Sequence, residues 1–503
     1  LLVFIGSIYF DDLFRADRAG ARMSGPLRGG ARESQPPPTG GIDPGEQPMP
    51  ADKPESIRNV VLLGHGGAGK TILTEALLHE AGLTGRFGSV EEGTTVTDYT
   101  DLEKDRQHSV DPALVYFEQE CRTVNLVDTP GYPDFIGGAI SALGGADTAV
   151  IVVSATAGIE VNTRRLFNAA GAAGLARAIV VNKIDGENLD LPALVTALTE
   201  TFGPAVKCMN LPADGGKSVT DCFANESGSA DFGDIGETHT ELVESIIEAD
   251  EEMMEAYLGG EEVSAERLAA AFSAAMVAGT VVPVLFAAGR DRVGVKELAD
   301  AIAKYFPSPA DVPISPVRSA SGEDAEETPV ACDPSKELVG QAFRIAADPF
   351  VGKVCWIRLL QGTMTGETSF QLGEDRRSLR VGHLFKVRGK EMEEVDKAVA
   401  GDVVALPKIE EIGFGDVLHE ASEPMFRDTP PVPTPMYSLA IEPKSRGDEG
   451  KISEALQRLA DTVPGARVEV MTGHAGRSIV DRASEQRIDC IVIASHRPGM
   501  ADL

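Results

Sequence analysis

The chain is short of positive charge: 46 Lys and Arg stand against 78 Asp and Glu, a formal net charge of -32 over 503 residues. A surface this acidic does not wrap DNA non-specifically, and any contact with RNA requires a local basic patch. Aromatic side chains are scarce as well, with one tryptophan, Trp356. The six cysteines, Cys121, Cys208, Cys222, Cys332, Cys355 and Cys490, form neither a C-x-x-C pair nor a metal-ligand spacing. That excludes a disulfide framework and points to reduced, cytoplasmic thiols. Membrane-length apolar runs are missing too. The run that opens the chain, Leu1 to Phe10, is about half the ~20 residues a span requires. It has no basic start and runs into Asp11-Asp12, so a signal peptide is not expected either. Met23 is a candidate start.

The hydrophobic fraction, 43%, is that of a globular protein, and the length calls for three or four domains. Residues 1–55 are expected to be a disordered leader, because the Gly, Pro, Arg and Ser that dominate from about residue 18 cannot bury a core. From Ile57 the pattern changes. The runs Val60-Val61-Leu62-Leu63, Val124-Asn125-Leu126-Val127, Ala149 to Val153, Ala178 to Val181 and Pro283 to Phe286 are short and rich in β-branched residues. They predict a parallel sheet flanked by helices, an α/β domain over residues 56–310.

Ligands of such a sheet gather at the carboxyl ends of its strands, and the polar signals fall there. After the first run comes Gly64-His65-Gly66-Gly67-Ala68-Gly69-Lys70-Thr71, followed by a helical pattern. Glycines let backbone N–H groups close around phosphate oxygens, Lys70 adds a point charge, and Thr71 offers magnesium a hydroxyl. After the second run comes Asp128-Thr129-Pro130-Gly131, where Asp128 can hold a magnesium shell and the Gly131 amide can meet a γ-phosphate. After the fourth comes Asn182-Lys183-Ile184-Asp185. The Asp185 carboxylate can accept the N1 and N2 hydrogens of guanine, which adenine lacks. Each short match alone is weak; three in this order, each closing a strand, indicate a GTP/GDP site with Mg2+.

From about Ile57 to Asp461 these residues resemble the translational GTPases, and among them elongation factor G and its divergent elongation factor G-like branch. Ser89 to Tyr99 is similar to the segment before that branch's first switch, and Lys304-Tyr305-Phe306-Pro307 to the close of the GTPase domain. The resemblance implies an insertion at about 190–280 and, near Ala288, a backbone contact to the base, although the expected Ser-Ala reads Ala287-Ala288. It implies that Ser109, in Arg106-Gln107-His108-Ser109-Val110, ligates magnesium where the family has Thr. The family orients its attacking water with a His after D-T-P-G; this chain has Tyr132 there, which leaves the catalyst unassigned.

After a linker at 311–334, residues 335–425 alternate in short strands such as Val354 to Leu360, an antiparallel β-barrel that resembles domain II of elongation factor G. Lys386, Arg388 and Lys390 form a basic cluster, either a contact for rRNA or a solvated hairpin tip. Residues 435–463 are similar to the start of domain III, and 466–503 to part of a universal stress protein. The resemblance implies GTP hydrolysis coupled to the ribosome, but without translocation, since later domains are expected to be missing. The alternative is a non-hydrolysing, nucleotide-binding regulatory or stress-response protein.

Overall fold

The computed structural model describes residues 53–248, 253–255, 264–319, 326–348, 351–421 and 423–431, with short strands at 2–4, 439–440 and 467–469. Apart from those strands, the expectations for residues 1–52, 435–463 and 466–503 lie outside the described residues. Strand β1 (Ile57–Leu63) is buried at every position. Its side chains alternate between two cores, Val60 and Leu62 on one side, Val61 and Leu63 on the other. A strand covered on both faces cannot show polar alternation, which is why Val60 to Leu63 read as a continuous apolar run.

Six further strands complete the sheet: β2 (Ala113–Gln119), β3 (Arg122–Asp128), β4 (Thr148–Ser154), β5 (Ala176–Asn182), β6 (Val206–Cys208) and β9 (Val282–Ala287). A hairpin, β7 (Asn210–Ala213) and β8 (Ser218–Asp221), branches off between them. The order is β2-β3-β1-β4-β5-β9-β6, with β2 antiparallel to β3 and every other pair parallel. The antiparallel edge strand β2 is not among the strands expected from the sequence. Helices α1 (Lys70–Glu80), α6 (Ile235–Ile247), α7 (Ala265–Ala278) and α8 (Val295–Tyr305) supply the core on one face. On the other are α3 (Ile136–Ala142), α4 (Val161–Ala172) and α5 (Leu191–Phe202). The six-residue α2 (Asp101–Arg106) lies before β2. The segment at 190–280 therefore builds into the main core, adding the edge strand β6 and three of these helices.

The second region is all antiparallel. Its strands are β10 (Val339–Asp348), β11 (Gly352–Gln361), β12 (Thr363–Thr365), β13 (Ser369–Leu372), β14 (Asp375–Arg380), β15 (Leu384–Arg388), β16 (Glu391–Val395), β17 (Lys397–Val399), β18 (Val403–Pro407) and β19 (Val417–His419). Eight pair in the order β14-β13-β19-β10-β11-β18-β15-β16, and β12 pairs with β17. Strand β11 divides by its period of two: Cys355, Ile357 and Leu359 fill the barrel, while Val354 and Trp356 turn to the first region and pack with Phe343.

The two regions meet through buried polar groups. Asn59 on β1 donates to Asp147 (2.7 Å) and to the Gly401 carbonyl (2.9 Å), and Arg358 on β11 donates to both Asp147 oxygens at 2.7 and 2.9 Å. Asn125 on β3 donates to Asn59 (2.8 Å) and Asp402 (3.1 Å). Lys386 donates to Asn125 at 3.0 Å and is ion-paired with Asp402. Lys386 is thus buried, and Arg388 lies over the Tyr116 ring at 4.6 Å, so these two cations hold the domain interface together rather than form a basic patch or a solvated tip. The charge pattern on a hairpin cannot reveal a partner on another domain.

Breaking one side of a buried pair strands the other charge. Arg358→Met is expected to lower stability by about 3–5 kcal/mol, and adding Asp147→Leu to recover most of that loss. Urea denaturation followed by circular dichroism checks both; equal stability of the two variants would contradict the assignment.

Candidate guanine-nucleotide site

Three strand ends converge on one cavity of about 440 Å³, lined among others by Gly66, Gly67, Gly69, Lys70, Thr71, Gly131, Asn182, Lys183 and Asp185. Gly67 and Gly69 take φ values of 79° and 93°, a backbone that side chains rarely adopt. Gly69 is the N-cap of α1, and no side chain caps that helix. The first-turn N–H groups are thereby left to face the cavity, the arrangement that receives an anion. His65 and Glu160 sit 3.4 Å apart beside the loop; Gly64 and Ala68 are buried within it.

Lys70 is buried, and its ammonium donates to the carbonyls of Gly64 (3.1 Å) and His65 (3.0 Å). Burial lowers its pKa to about 8 against the pull of Asp128 and Asp98. The Thr71 and Ser109 hydroxyls lie 3.1 Å apart. Asp128 is buried below them and accepts from Thr97 at 3.0 Å; its other oxygen has no hydrogen-bond partner, and burial raises its pKa. Asp98 is pushed up to about 7, first by burial and then by the Asp128 charge. Neither Asp98 oxygen has a partner in hydrogen-bond geometry, though the Ser109 hydroxyl is close enough to temper the shift. Two carboxylates and two hydroxyls form a hard oxygen set, and the orphaned buried oxygens fit a small divalent cation.

The segment after β3 is tied down tightly. Thr129 donates to the Leu62 carbonyl at 2.5 Å, and Asn162 to that of Gly131 at 2.9 Å. A Cβ on Gly131 would stand 2.6 Å from the Gly66 nitrogen, so only glycine fits between the two loops. Tyr132, 41% exposed, lies beyond it, its ring 4.6 Å from that of His108.

At the opposite end, Asn182 donates to the Ala68 carbonyl (3.0 Å) and accepts from the Gly289 amide (3.0 Å), while Lys183 donates to the Gly67 carbonyl at 2.7 Å. These two residues brace the glycine loop, leaving Asp185 exposed at the rim. The Ala288 amide is engaged by the Val293 carbonyl at 2.9 Å, and it is Gly289 that lines the cavity. An ion pair between Arg290 and Glu91 spans the rim.

Sequence reasoning missed Thr97, Asp98, Asn162, Gly289 and His108. A local signal existed for the first two: Thr100 and Glu103 form a capping box that starts α2 and fixes what precedes it. That Asp98 turns inward depends on tertiary packing and has no local signature.

Family models match both regions: one described as the elongation factor Tu GTP binding domain over residues 55–308, another as elongation factor G domain 2 over residues 337–421. The chain belongs to the elongation factor G-like GTPase family. The elongation factor G-like protein of Mycobacterium tuberculosis strain H37Rv is 33% identical over 452 residues, 83% of this chain and 62% of that one. Elongation factor G of Dehalococcoides mccartyi is 29% identical over 460 residues, 87% of this chain and 66% of its own length. A crystal structure from Thermus thermophilus shares the fold with a TM-score of 0.72 and 35% identity, covering 82% of this chain and 62% of its own. The chain thus spans less than two thirds of the length of these relatives. Among the described residues no helix is long and apolar enough to cross a membrane.

The raised pKa of Asp98 predicts a pH effect on the nucleotide-free protein. A carboxyl neutral when folded but ionised when unfolded stabilises fully below the unfolded pKa near 4, and that stabilisation is lost as pH rises through about 7. Asp98→Asn is therefore expected to raise the melting temperature at pH 8 and leave it unchanged below pH 4. Thermal unfolding across that range, without magnesium or nucleotide, checks this.

Proposed function

We propose that this family member binds GTP and GDP with Mg2+ in the 440 Å³ cavity and hydrolyses GTP in contact with the ribosome. The observation that carries the reading is the convergence at one cavity of the glycine loop, the Asp128–Gly131 turn and the Asn182–Asp185 turn. The N-terminus of α1 and Lys70 hold the β and γ phosphates. The Gly131 amide meets the γ group, and Asp185 accepts from guanine, with Gly289 rather than Ala288 at the base. Thr71, Ser109 and Asp128 hold the cation, which supplies charge neutralisation on the phosphates. Phosphate contact also offsets the cost of burying Lys70, whose charged form gains a partner.

A regulator that binds without hydrolysis is a second reading, favoured by one observation: Tyr132 occupies the place after Gly131, and a phenol is a poor acceptor for water near neutrality. Single-turnover hydrolysis of GTP with and without ribosomes separates the two, since phosphate release in neither condition would leave binding alone. Co-sedimentation with ribosomes in a non-hydrolysable GTP analogue tests the partner.

At GTP 100 times above its Kd, the wild-type chain should gain about 2.7 kcal/mol of stability, and Lys70→Ala should lose that gain. A thermal shift that survives in the variant would contradict the phosphate site. Asp185→Asn should move preference from GTP toward xanthosine triphosphate, read by competition for a fluorescent nucleotide.

A further inference from the structure

Hydrolysis at this site needs a group that holds a water in line with the γ-phosphate, and Tyr132 is not suited to it. We propose that His108 positions that water. The inference rests on the nucleotide-binding reading above and supplies what that reading leaves open.

The local backbone sets where His108 stands. Helix α2 ends at Gln107, which adopts φ 56°, and the chain then turns back toward the cavity. Glu103 fixes the turn: its carbonyl accepts from the His108 amide at 3.3 Å, and its carboxylate accepts from the Val110 and Asp111 amides at 3.2 and 3.3 Å. Ser109 is thereby set on Thr71, and its neighbour His108 lines the cavity beside the loop.

The imidazole is held on two sides. Its Nδ1 lies 3.2 Å from the Ser109 carbonyl. A carbonyl oxygen can only accept, so Nδ1 carries the proton, and in the neutral ring Nε2 is the lone-pair acceptor. The ring packs against Tyr132 at 4.6 Å and Phe135 at 5.9 Å between centroids. Tyr132 is itself seated over Gly66: a Cβ there would meet the phenol ring at 3.1 Å. The tyrosine thus acts as a platform that orients the histidine.

Other acceptor-bearing side chains also line the cavity. Glu91 is paired with Arg290 at the rim, and Gln107 donates to the Glu91 carbonyl at 3.3 Å on that same side. Asp98 lies with Asp128 and the Thr71 and Ser109 hydroxyls. Among them His108 is the one stacked on Tyr132, the residue after Gly131, where the γ-phosphate is proposed to sit.

In the step itself the water oxygen forms a bond to γ-phosphorus as the bond to the β-phosphate oxygen breaks. GTP and water become GDP, inorganic phosphate and a proton, which passes to a phosphate oxygen and then to solvent. Nε2 accepts a hydrogen bond from the water and keeps its lone pair throughout, as a water-orienting amide does in other GTPases.

The test uses the full chain with ribosomes, a fluorescent GTP analogue for affinity and single-turnover phosphate release for chemistry. His108→Phe retains a ring for Tyr132 but no acceptor; it should bind the analogue within about threefold of wild type and release phosphate about 100-fold more slowly. His108→Gln restores an acceptor and should retain at least about a tenth of the wild-type rate. The proposal is overturned if His108→Phe hydrolyses like wild type, if both variants lose activity equally, or if wild type binds GTP yet releases no phosphate. Failure of wild type to bind the analogue would instead remove the nucleotide reading, and this inference with it.

Discussion

The site depends on keeping Lys70 charged where it is almost out of water. The loop that encloses it supplies carbonyls from Gly64 and His65, and the floor supplies Asp128, yet burial still pulls the lysine pKa down to about 8. Two acids buried beside it shift the other way, Asp98 to about 7. A core designed for stability alone would contain none of these groups, because a buried charge costs more than its pairing returns. Their joint presence beside the carboxyl ends of β1 and β3 is what a ligand of mixed charge, anionic phosphate with a divalent cation, would relieve. The folded chain is therefore least comfortable where it is proposed to bind.

That strain is held by rigid supports on the opposite side of the same strands. β1 and β3 carry the glycine loop and Asp128 at their carboxyl ends, and further back along the strands Asn59 and Asn125, which bond into the barrel through Asp147, Arg358, Asp402 and Lys386. The barrel also touches the segment that brings Ser109 to the site. Arg344 pairs with Asp111 at 3.0 Å, and the Gly389 amide donates to Leu114 at 2.8 Å. A displacement of the barrel would thus reach β1, β3 and the segment after Ser109 through direct contacts. Such contiguity makes coupling physically possible; coupling itself needs two states that both sites bias.

Much of this architecture was legible because it is local. A strand core covered on both faces is apolar, and turns that close such strands carry the polar residues: Val60 to Thr71 and Asn182 to Asp185 show both within a few residues, and both turns line one cavity. What escaped was set by distance. Lys386 looked like surface charge because its partners, Asn125 and Asp402, come from another domain and another strand. Ala288 is expected to face the base; a bridge to Val293 engages its amide, and Gly289 beside it lines the cavity. The edge strand β2 escaped because its antiparallel place is decided by pairing with β3.

Binding and hydrolysis consequently stand on different kinds of structure. The residues proposed to bind, Lys70, Thr71, Gly131, Asn182 and Lys183, sit at strand ends and a helix start, and are braced by Thr129, Asn162 and Gly289. Those proposed for chemistry, His108 and Ser109, sit on a short run after a six-residue helix, held by the side chain of Glu103 and one barrel ion pair. A helix that short has little stability of its own and keeps its place through its cap and its contacts. Opening energies across a fold follow such differences in support, so this run can move while the phosphate loop keeps its shape. Tyr132 fits the same division: its backbone belongs to the fixed turn after Gly131, and its ring reaches out to meet His108. The phenol thus links the rigid half of the site to the movable half, a role for which ring area matters and basicity does not.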